Sequence, residues 1–274
     1  LAAVAARTDR IRLGPAVAVL PFRHPLQVVE DYAMVDQLSG GRLVLGVGSG
    51  SEASEFRGFD LDPAAKRAAF DDRLPVVEAA FTGRTSDDGA PAPVAGARAD
   101  APPIYLAATS PAGARAAGIG GFGLLTLASP GTPSIDEVTA RVEAYRAGQH
   151  RRQRAARTDG VIVTVLCHLA DDDARARREA APALERFLRA HGGADDDGFA
   201  VYDGMVARGV GAFGTPETVA ETLEPLAVAG VDHFCLWMGF GDLDRDLFSR
   251  SMELAPRLRE LLTGHRWADA ATTA

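Results

Sequence analysis

The sequence predicts an α/β fold built on a parallel sheet, and three observations lead to this prediction. Six short apolar runs alternate with segments of helical pattern along the chain. The first run is almost continuously apolar, as is typical of a strand that is covered on both faces of a parallel sheet. With 274 residues, the chain can form one large α/β domain or two smaller ones. The alternation predicts right-handed crossovers, with ligand-binding groups at the carboxyl ends of the strands.

The predicted strands lie near residues 11–20, 43–47, 104–108, 123–128, 161–169 and 233–238. Helices are predicted near residues 26–38, 64–81, 111–118, 132–147, 173–191, 215–230 and 243–262. Residues 84–101 read as a surface loop, and the tail from residue 267 is expected to fray. Residues 192–213 form a Gly/Asp-rich crossing with an apolar middle, which makes this insertion a candidate lid.

The sequence begins in the middle of the predicted alternation. Its first residue is Leu1 rather than Met, and residues 1–7 look like the tail of an Ala-rich helix. Six strands do not close an eight-stranded barrel. We therefore expect one or two amino-terminal βα units of the fold to be absent from this sequence, and we expect residues 1–274 to form a single, incomplete domain.

Composition and charge argue against several classes of partner. The net charge is -8 at pH 7 and the 29 basic residues are scattered, so no basic stripe indicates nucleic acid or an anionic membrane surface. No apolar run reaches the length of about 18 residues that a membrane span requires, and no signal peptide is seen. Cys167 and Cys235 lie in apolar runs without metal-ligand spacing, which predicts buried thiols and no metal site. A cytoplasmic, reducing location is the expectation.

A strand that leads into a glycine-rich turn is the most informative stretch of the chain. Residues 36–50 read as a helix end, a Gly-Gly stop, an apolar strand after Arg42, and a turn formed by Gly48, Ser49 and Gly50. Glycine at this spacing lets the backbone approach a ligand closely. Taken alone the turn is weak evidence, because many α/β proteins carry such a turn and bind nothing there.

Several separated motifs together resemble the luciferase-like flavin monooxygenases, the superfamily of bacterial luciferase. They are Val-Leu-Pro-Phe-Arg-His-Pro at 19–25, Glu-Asp at 30–31, Asp-Gln-Leu-Ser-Gly-Gly-Arg at 36–42, Gly-Val-Gly-Ser-Gly at 46–50, Glu-Phe at 55–56, Gly-Phe at 58–59, Ala-Ala-Thr-Ser-Pro at 107–111, Gly-Thr-Pro-Glu at 214–217 and Gly-Val-Asp-His at 230–233. Their order agrees with the family over about residues 1–262. The resemblance implies a (β/α)8 TIM barrel and chemistry with reduced FMN, or in some branches with the deazaflavin F420.

The resemblance also implies which residues bind the cofactor. In the family, the isoalloxazine ring rests on a bulge near the end of the first strand seen here, sometimes with a non-proline cis peptide bond. Ala16 and Val17 match this bulge, and the alternative is a plain buried strand. Gly48 and Ser49 match the turn that faces the phosphate or the ring of the cofactor.

The phosphate segment of the family matches Thr109 and Ser110. These hydroxyls precede Pro111, so the resemblance implies that they and the N–H groups of the first helical turn bind an anion there. The alternative is an ordinary Ser-Pro helix cap. Two departures from the family pattern bear on FMN binding: Ala112 and Gly113 stand where an acidic residue is common, and Ser49 replaces the usual Arg. Loss of that cation removes a charge-assisted contact of about 1–3 kcal/mol.

Four other residues have open interpretations. His24, directly before Pro25, could be a catalytic group aimed at the ring edge, or a packed or capping histidine. Trp237, at the carboxyl end of the last strand, could line a substrate pocket or belong to the core. For His168 and His233, in or beside strands, a core or strand-end role is favoured.

Three functional hypotheses follow from the resemblance. The first is a flavin-dependent monooxygenase that oxidises a small organic substrate with reduced FMN and O2, where a flavin reductase supplies the reduced flavin. The second is an F420-dependent oxidoreductase, which Ser49 in place of Arg keeps open. The third is a non-catalytic flavin-binding or partner subunit of the same fold. The resemblance also implies a homodimer or heterodimer.

Overall fold

The structure is a computed structural model that describes residues 1–82, 101–152, 158, 160–191 and 197–264. The chain divides into two compact units. The first unit comprises Leu1–Leu125 with Tyr145–Asp159, and the second comprises Thr126–Ala144 with Gly160–Ala274. The predicted loop at 84–101 and the predicted tail lie outside the described residues, apart from residue 101. That residues 1–274 form a single domain stays a prediction.

The first unit contains parallel strands in chain order. They are β1 (Ala18–Val19), β2 (Leu45–Gly48), β3 (Ile104–Ala107) and the first part of β4 (Gly123–Ala128). Its helices are α1 (Ala2–Ala5), α2 (Pro25–Ser39), α3 (Ala53–Gly58), α4 (Lys66–Thr82), α5 (Pro111–Gly120) and the end of α6 (Ile135–Gln149), with 3-10 turns at Leu20–Phe22 and Pro63–Ala65. Because the strands are parallel, their carboxyl ends meet at one edge of the sheet.

The core of the first unit forms where α2 and α4 cover β2. Buried apolar side chains from these three elements and their neighbours make one cluster, which comprises Leu20, Val28, Val29, Ala33, Leu45, Val47, Phe70, Val77, Ala80, Phe81, Ile104 and Phe122. The helix α2 ends at Gly40, whose φ of 69° is the left-handed conformation that glycine adopts at low cost. The predicted Gly-Gly stop before β2 is therefore confirmed.

Two local predictions for the first unit are wrong. The predicted strand at 11–20 is regular only at Ala18–Val19, with an isolated bridge between Leu13 and Leu43. The apolar pattern did not reveal this interruption, although Pro15 within it has no N–H to donate to a strand ladder. The short helix α3 is missing from the predicted helices, because its six residues are too few for a helical period to be recognised.

Arg42 connects the amino-terminal segment to the junction between α2 and β2. Its guanidinium donates hydrogen bonds to the carbonyl oxygens of Ser39 (2.7 Å), Ile11 (2.8 Å), Thr8 (2.6 Å) and Ala5 (3.0 Å). It also donates to the hydroxyl of Thr8 at 2.9 Å. Since α1 has only four residues, this set of charge-assisted bonds holds a segment that has little regular structure of its own.

The second unit is organised around its longest strand, β5 (Val161–Leu169). This strand pairs in parallel with β7 (His233–Trp237) along Ile162–Leu166 and with β6 (Ala212–Gly214) along Cys167–Leu169. The helices are α7 (Asp173–Ala190), α8 (Gly198–Ala207), α9 (Pro216–Val228) and α10 (Arg245–Gly264), together with the first part of α6. The strands predicted near 161–169 and 233–238 are confirmed.

The candidate lid at 192–213 contains regular structure where it is described. Residues 198–207 form α8, and β6 begins at Ala212, although neither element was predicted. Arg177 of α7 pairs with both carboxylate oxygens of Asp203 at 2.6 Å, and its guanidinium lies 4.8 Å from the centre of the Phe199 ring. A Cβ on Gly198 would lie 2.1 Å from the carbonyl oxygen of Ala181, so α8 packs closely on α7. A lid function stays a prediction.

His168 is buried in the second unit beside a charged network. Its Nε2 lies 2.9 Å from Oε2 of Glu179, whose other oxygen accepts a hydrogen bond from Arg175 at 2.8 Å. Its Nδ1 has no hydrogen-bond partner in the part of the chain that is described. Burial lowers the pKa of His168, and the hydrogen bond with Glu179 opposes this shift without cancelling it. The predicted core role of His168 is confirmed.

Two expectations about the environment of the chain can be compared with the structure. Cys167 is fully buried, and burial raises the pKa of its thiol to about 12, whereas Cys235 is half-buried. The prediction of a buried thiol is thus confirmed for Cys167. Within the described residues, every helix is too short or too polar to cross a bilayer.

The Arg42 network predicts a large loss of stability in the Arg42→Ala variant. Five hydrogen bonds disappear and partly buried carbonyl oxygens of Ser39, Ala5 and Thr8 lose their charged donor, so we expect the free energy of unfolding to fall by about 2–4 kcal/mol. Urea denaturation measures this change. Arg42→Lys keeps the charge but not the planar donor group, and should recover only part of the loss. Exposed Arg12 is the control: Arg12→Ala should change stability by less than about 0.5 kcal/mol, and an equal effect of the two alanine variants would contradict the assignment.

The lowered pKa of His168 predicts that stability falls as the solution becomes acidic. Above the ordinary histidine pKa of 6.5, this residue is neutral in both states and its contribution is fully present. As the pH falls towards the lower folded pKa, the unfolded chain binds the proton first, so the free energy of unfolding decreases between about pH 7 and pH 5. Urea denaturation at several pH values measures this slope.

His168→Gln is the matched control for this pH dependence, because glutamine keeps polar groups but does not titrate. Hydrogen bonds to Glu179 hold the pKa of that carboxyl below its usual value despite partial burial, so Glu179 titrates below this pH window. The slope between about pH 7 and pH 5 should therefore be smaller in the variant. An unchanged slope would show that other groups cause the acid sensitivity.

Candidate functional site

The carboxyl ends of β1, β2 and β3 bring three of the predicted segments together. Val19 of β1 is paired with Gly48 of β2. A Cβ on Gly48 would lie 2.8 Å from Cγ2 of Val17 and 3.3 Å from Cβ of Ala107, the last residue of β3. Val17 and Ala107 therefore both lie over Gly48, which is buried, and we call these three residues the small-residue surface.

Glycines allow the segment before β1 to lie close against β2. A Cβ on Gly46 would lie 2.4 Å from the carbonyl oxygen of Pro15, and one on Gly14 would lie 1.8 Å from the carbonyl oxygen of Val44. Side chains do not fit at these distances, and both obstacles are backbone atoms that cannot rotate away. The close approach of the two chain segments thus depends on the absence of side chains at Gly14 and Gly46.

Ala16 and Val17 lie within this closely packed segment. The peptide bond between them is cis, which confirms the geometry that the resemblance predicted. Ala16 is exposed and Val17 is half-buried, so the alternative of a plain buried strand is wrong for these two residues. Their contact with a flavin ring stays a prediction.

The predicted phosphate segment follows directly from the small-residue surface. Ala107 is two residues before Thr109, and Ser110 is the N-cap of α5. The Ser110 hydroxyl oxygen accepts a hydrogen bond from the N–H of Gly113 at 3.2 Å, which confirms the cap. Thr109 and Ser110 are both exposed. Pro111 has no N–H and the Gly113 N–H is bound to Ser110, so among the described residues the Ala112 N–H is the backbone donor of this turn that an external acceptor can reach. The site can therefore accept an anion, and its role in phosphate binding stays a prediction.

At the start of a second helix, α9, a carboxylate of the chain itself takes the place that an external anion would occupy. Thr215 is the N-cap of α9 and also precedes a proline. The carboxylate of Asp173 accepts hydrogen bonds there from the Thr215 N–H at 3.0 Å and from the Thr218 hydroxyl at 3.2 Å. At Ser110, no carboxylate from the described residues makes such a bond. The start of α5 is thus the better candidate for an external anion.

His24 and Ser49 lie after β1 and β2 respectively. His24 is exposed and is the N-cap of α2, where its Nδ1 accepts a hydrogen bond from the N–H of Leu26 at 3.3 Å. The capping interpretation of His24 is confirmed, and a catalytic role stays a prediction. Ser49 is half-buried and follows Gly48 at the end of β2.

Trp237 belongs to the second unit and is the last residue of β7. Its side chain is 37% exposed, so it is not a fully buried core residue. The ring of Phe187 meets it edge to face, with centroids 5.3 Å apart and an interplanar angle of 87°. This packing orients the indole ring of Trp237. That Trp237 lines a substrate pocket stays a prediction.

Two features of the first unit were not predicted from the sequence. One is that Ala107 packs against Gly48. Ala107 is the first residue of the motif Ala-Ala-Thr-Ser-Pro, but the motif does not predict this contact. The other is an aromatic cluster formed by Phe22, Phe56 and Phe59. The ring centroid of Phe22 lies 4.7 Å from that of Phe56 and 4.8 Å from that of Phe59. The available signal was the presence of aromatic residues after each of two neighbouring strands.

Comparison with solved structures identifies the class of fold. The monooxygenase RslO1 from Streptomyces bottropensis superposes with a TM-score of 0.79 at 27% sequence identity, over 96% of this chain and 81% of that chain. The predicted fold class, an α/β fold of the TIM-barrel type, is confirmed. The model of the luciferase-like monooxygenase family matches residues 1–233, and the chain belongs to this family.

Two characterised relatives illustrate the range of the family. The chain is 34% identical to the 4-hydroxyprotoasukamycin monooxygenase of Streptomyces nodosus subsp. asukaensis, over 68% of this chain and 54% of that protein. It is 29% identical to the F420-dependent glucose-6-phosphate dehydrogenase of Nocardia farcinica, over 95% of this chain and 83% of that protein. The chain thus spans about half the length of the first relative.

The glycine contacts predict a graded response to alanine substitution. Gly46→Ala places a methyl group 2.4 Å from a backbone oxygen, so we expect a loss of about 2–4 kcal/mol in the free energy of unfolding. Gly48→Ala meets the movable side chain of Val17 and should cost less. Gly58→Ala is the control, because nothing lies within 4 Å of its Cβ position and it ends a helix. Urea denaturation should rank the three variants in this order, and equal effects would contradict the close approach.

Proposed function

We propose that the chain is a flavin-dependent monooxygenase that oxidises a small organic substrate with reduced FMN and O2. The observation that carries this proposal is the continuity of the small-residue surface with the capped start of α5. A flat ring requires a surface without bulky side chains, and a terminal phosphate requires free donors at a helix start. Val17 and Ala107, which lie over the buried Gly48, meet the first requirement. The hydroxyl groups of Thr109 and Ser110, with the Ala112 N–H, meet the second.

The residues of the first unit fit this cofactor by their chemistry. Ala16, Val17 and Gly48 would hold the ring, because they place backbone and small apolar groups at one sheet edge. Thr109 and Ser110 would hold the phosphate through their hydroxyl groups, together with the Ala112 N–H in the first turn of α5. Reduced FMN, when bound, supplies the electrons for the reaction with O2. The protein contributes binding, orientation and exclusion of water.

The remaining partners follow from the resemblance alone. We propose that a flavin reductase supplies reduced FMN, that the chain acts as a homodimer or heterodimer, and that it works in the cytoplasm. His24 is proposed as a catalytic group and Trp237 as a substrate contact. The confirmed capping bond engages Nδ1 of His24, and no bond from the described residues engages its Nε2, so Nε2 is the atom proposed to face the substrate.

An F420-dependent oxidoreductase is the second candidate. Ser49 favours it, because a neutral side chain stands where the family resemblance implies an arginine for FMN binding. One relative of this chain is named as an F420-dependent dehydrogenase. The third hypothesis, a non-catalytic subunit, predicts that neither cofactor binds.

Anaerobic titration with reduced FMN and reduced F420 tests these hypotheses. Binding of its own cofactor should quench the tryptophan fluorescence of the purified chain, and on admission of air the bound reduced FMN should be oxidised at a rate different from that of free reduced FMN. Binding of F420 alone would replace the first hypothesis with the second. Binding of neither would leave the non-catalytic subunit.

The neutral Ser49 predicts that a cation at this position strengthens FMN binding. Ser49→Arg adds a charge-assisted contact to the phosphate, so we expect the FMN dissociation constant to fall about tenfold or more. Fluorescence titration measures it. Riboflavin lacks the phosphate and should bind the variant and the original chain equally, while Ser49→Gln controls for side-chain length. An equal gain with riboflavin would show that the arginine does not act on the phosphate.

A further inference from the structure

The aromatic cluster of Phe22, Phe56 and Phe59 presents one ring to solvent. Phe22 and Phe59 are stacked, with an interplanar angle of 24°, and Phe56 meets Phe22 at 67°. Phe56 is 1% exposed, whereas Phe59 is 60% exposed. A single exposed apolar side chain needs no explanation, but Phe59 extends a packed set of rings outward. Phe59 is therefore an exposed ring held against the half-buried Phe22, which in turn packs on the buried Phe56.

The cluster packs directly on the elements of the candidate site. A Cβ on Gly50 would lie 2.8 Å from Cε2 of Phe56 and 3.0 Å from Cγ1 of Val19. Phe56 therefore lies against the glycine turn that carries Gly48 and Ser49. Phe22 follows β1 and Phe56 follows β2, so the rings stand at the carboxyl ends of two neighbouring strands. This is the edge at which folds of the TIM-barrel type place their ligand sites.

The position of the cluster separates it from the surface proposed for the flavin ring. The side chain of Val17 packs against Gly48, and the side chain of Val19, two residues further along the chain, packs against Gly50. Two residues of extended chain cover about 6–7 Å. The aromatic cluster thus borders the small-residue surface on its carboxyl side, where a second molecule would lie beside a bound ring.

We propose that Phe59, supported by Phe22, contacts a flat aromatic part of the organic substrate and so determines substrate preference; this inference rests on the proposed function. A phenyl ring offers no hydrogen-bond donor or acceptor and stacks best on another flat ring. A saturated substrate of the same size fills less of this surface. The substrate class is therefore an aromatic compound with at least one ring free of charge.

Binding of 2-naphthol, a fluorescent planar probe, tests this inference. Decahydro-2-naphthol has the same carbon skeleton without planarity, and its competition with 2-naphthol measures the preference for a flat ring. Phe59→Ala should weaken 2-naphthol binding by about threefold to tenfold. Phe59→Leu keeps apolar area and should mainly lose the preference for the planar probe. Met34→Ala, which removes a side chain that is 63% exposed on α2, is the control and should change neither value.

The outcomes separate the inference from the proposed function. No binding of 2-naphthol to the original chain, or equal effects of Phe59→Ala and Met34→Ala, would overturn the inference. If Phe59→Ala weakened FMN binding and FMN displaced 2-naphthol, the cluster would belong to the flavin seat and the substrate assignment would be wrong. If neither FMN nor F420 bound while 2-naphthol binding still required Phe59, the inference would stand and the proposed function would fail.

Discussion

The close approach of the segment before β1 to strand β2 is the constraint on which the candidate site depends. At Gly14 and Gly46 the backbone of one segment occupies the space that a Cβ of the other would need. The approach brings Val17 against Gly48, and Gly48 against Ala107. With side chains at these glycines the segments would separate, and the small-residue surface would no longer run from β1 to β3. Because β2 and β3 are parallel neighbours, Ala107 at the end of β3 places this surface next to the start of α5.

The polar groups of the two units serve different purposes. In the first unit, Arg42 is used for structure, and the candidate anion site relies on hydroxyl and N–H groups at a helix start. In the second unit, Asp173 fills a comparable helix start from within the chain. His168 is likewise engaged by Glu179. Among the described residues, the candidate anion site therefore offers hydroxyl and N–H donors at the start of α5, where the helix dipole favours an anion.

Local signals in the sequence predicted most of the elements correctly. Pro111 after Ser110, Pro216 after Thr215 and Pro25 after His24 mark helix starts, and each cap is present. These signals are local because a cap involves only the first helical turn. The predictions failed where packing overrides pattern. The apolar run at 11–20 looks like one strand, and only its contact with β2 shows that it is regular for two residues. The helix α8 was missed because contacts with α7 stabilise it. Arg177 of α7 pairs with a carboxylate of α8, and Gly198 lets the backbone of α8 pack directly on α7.

The sequence by itself determined the α/β class, the order of the elements, the family resemblance and the candidate residues at Ala16, Val17, Gly48, Ser49, Thr109 and Ser110. These depend on period, caps and motif spacing, which are properties of neighbouring residues. Only the tertiary structure decided that Val17, Gly48 and Ala107 touch, and that Phe59 stacks on Phe22 with most of its surface exposed. Such contacts join residues that are far apart along the chain, and they exist because parallel strands bring their carboxyl ends to a common edge.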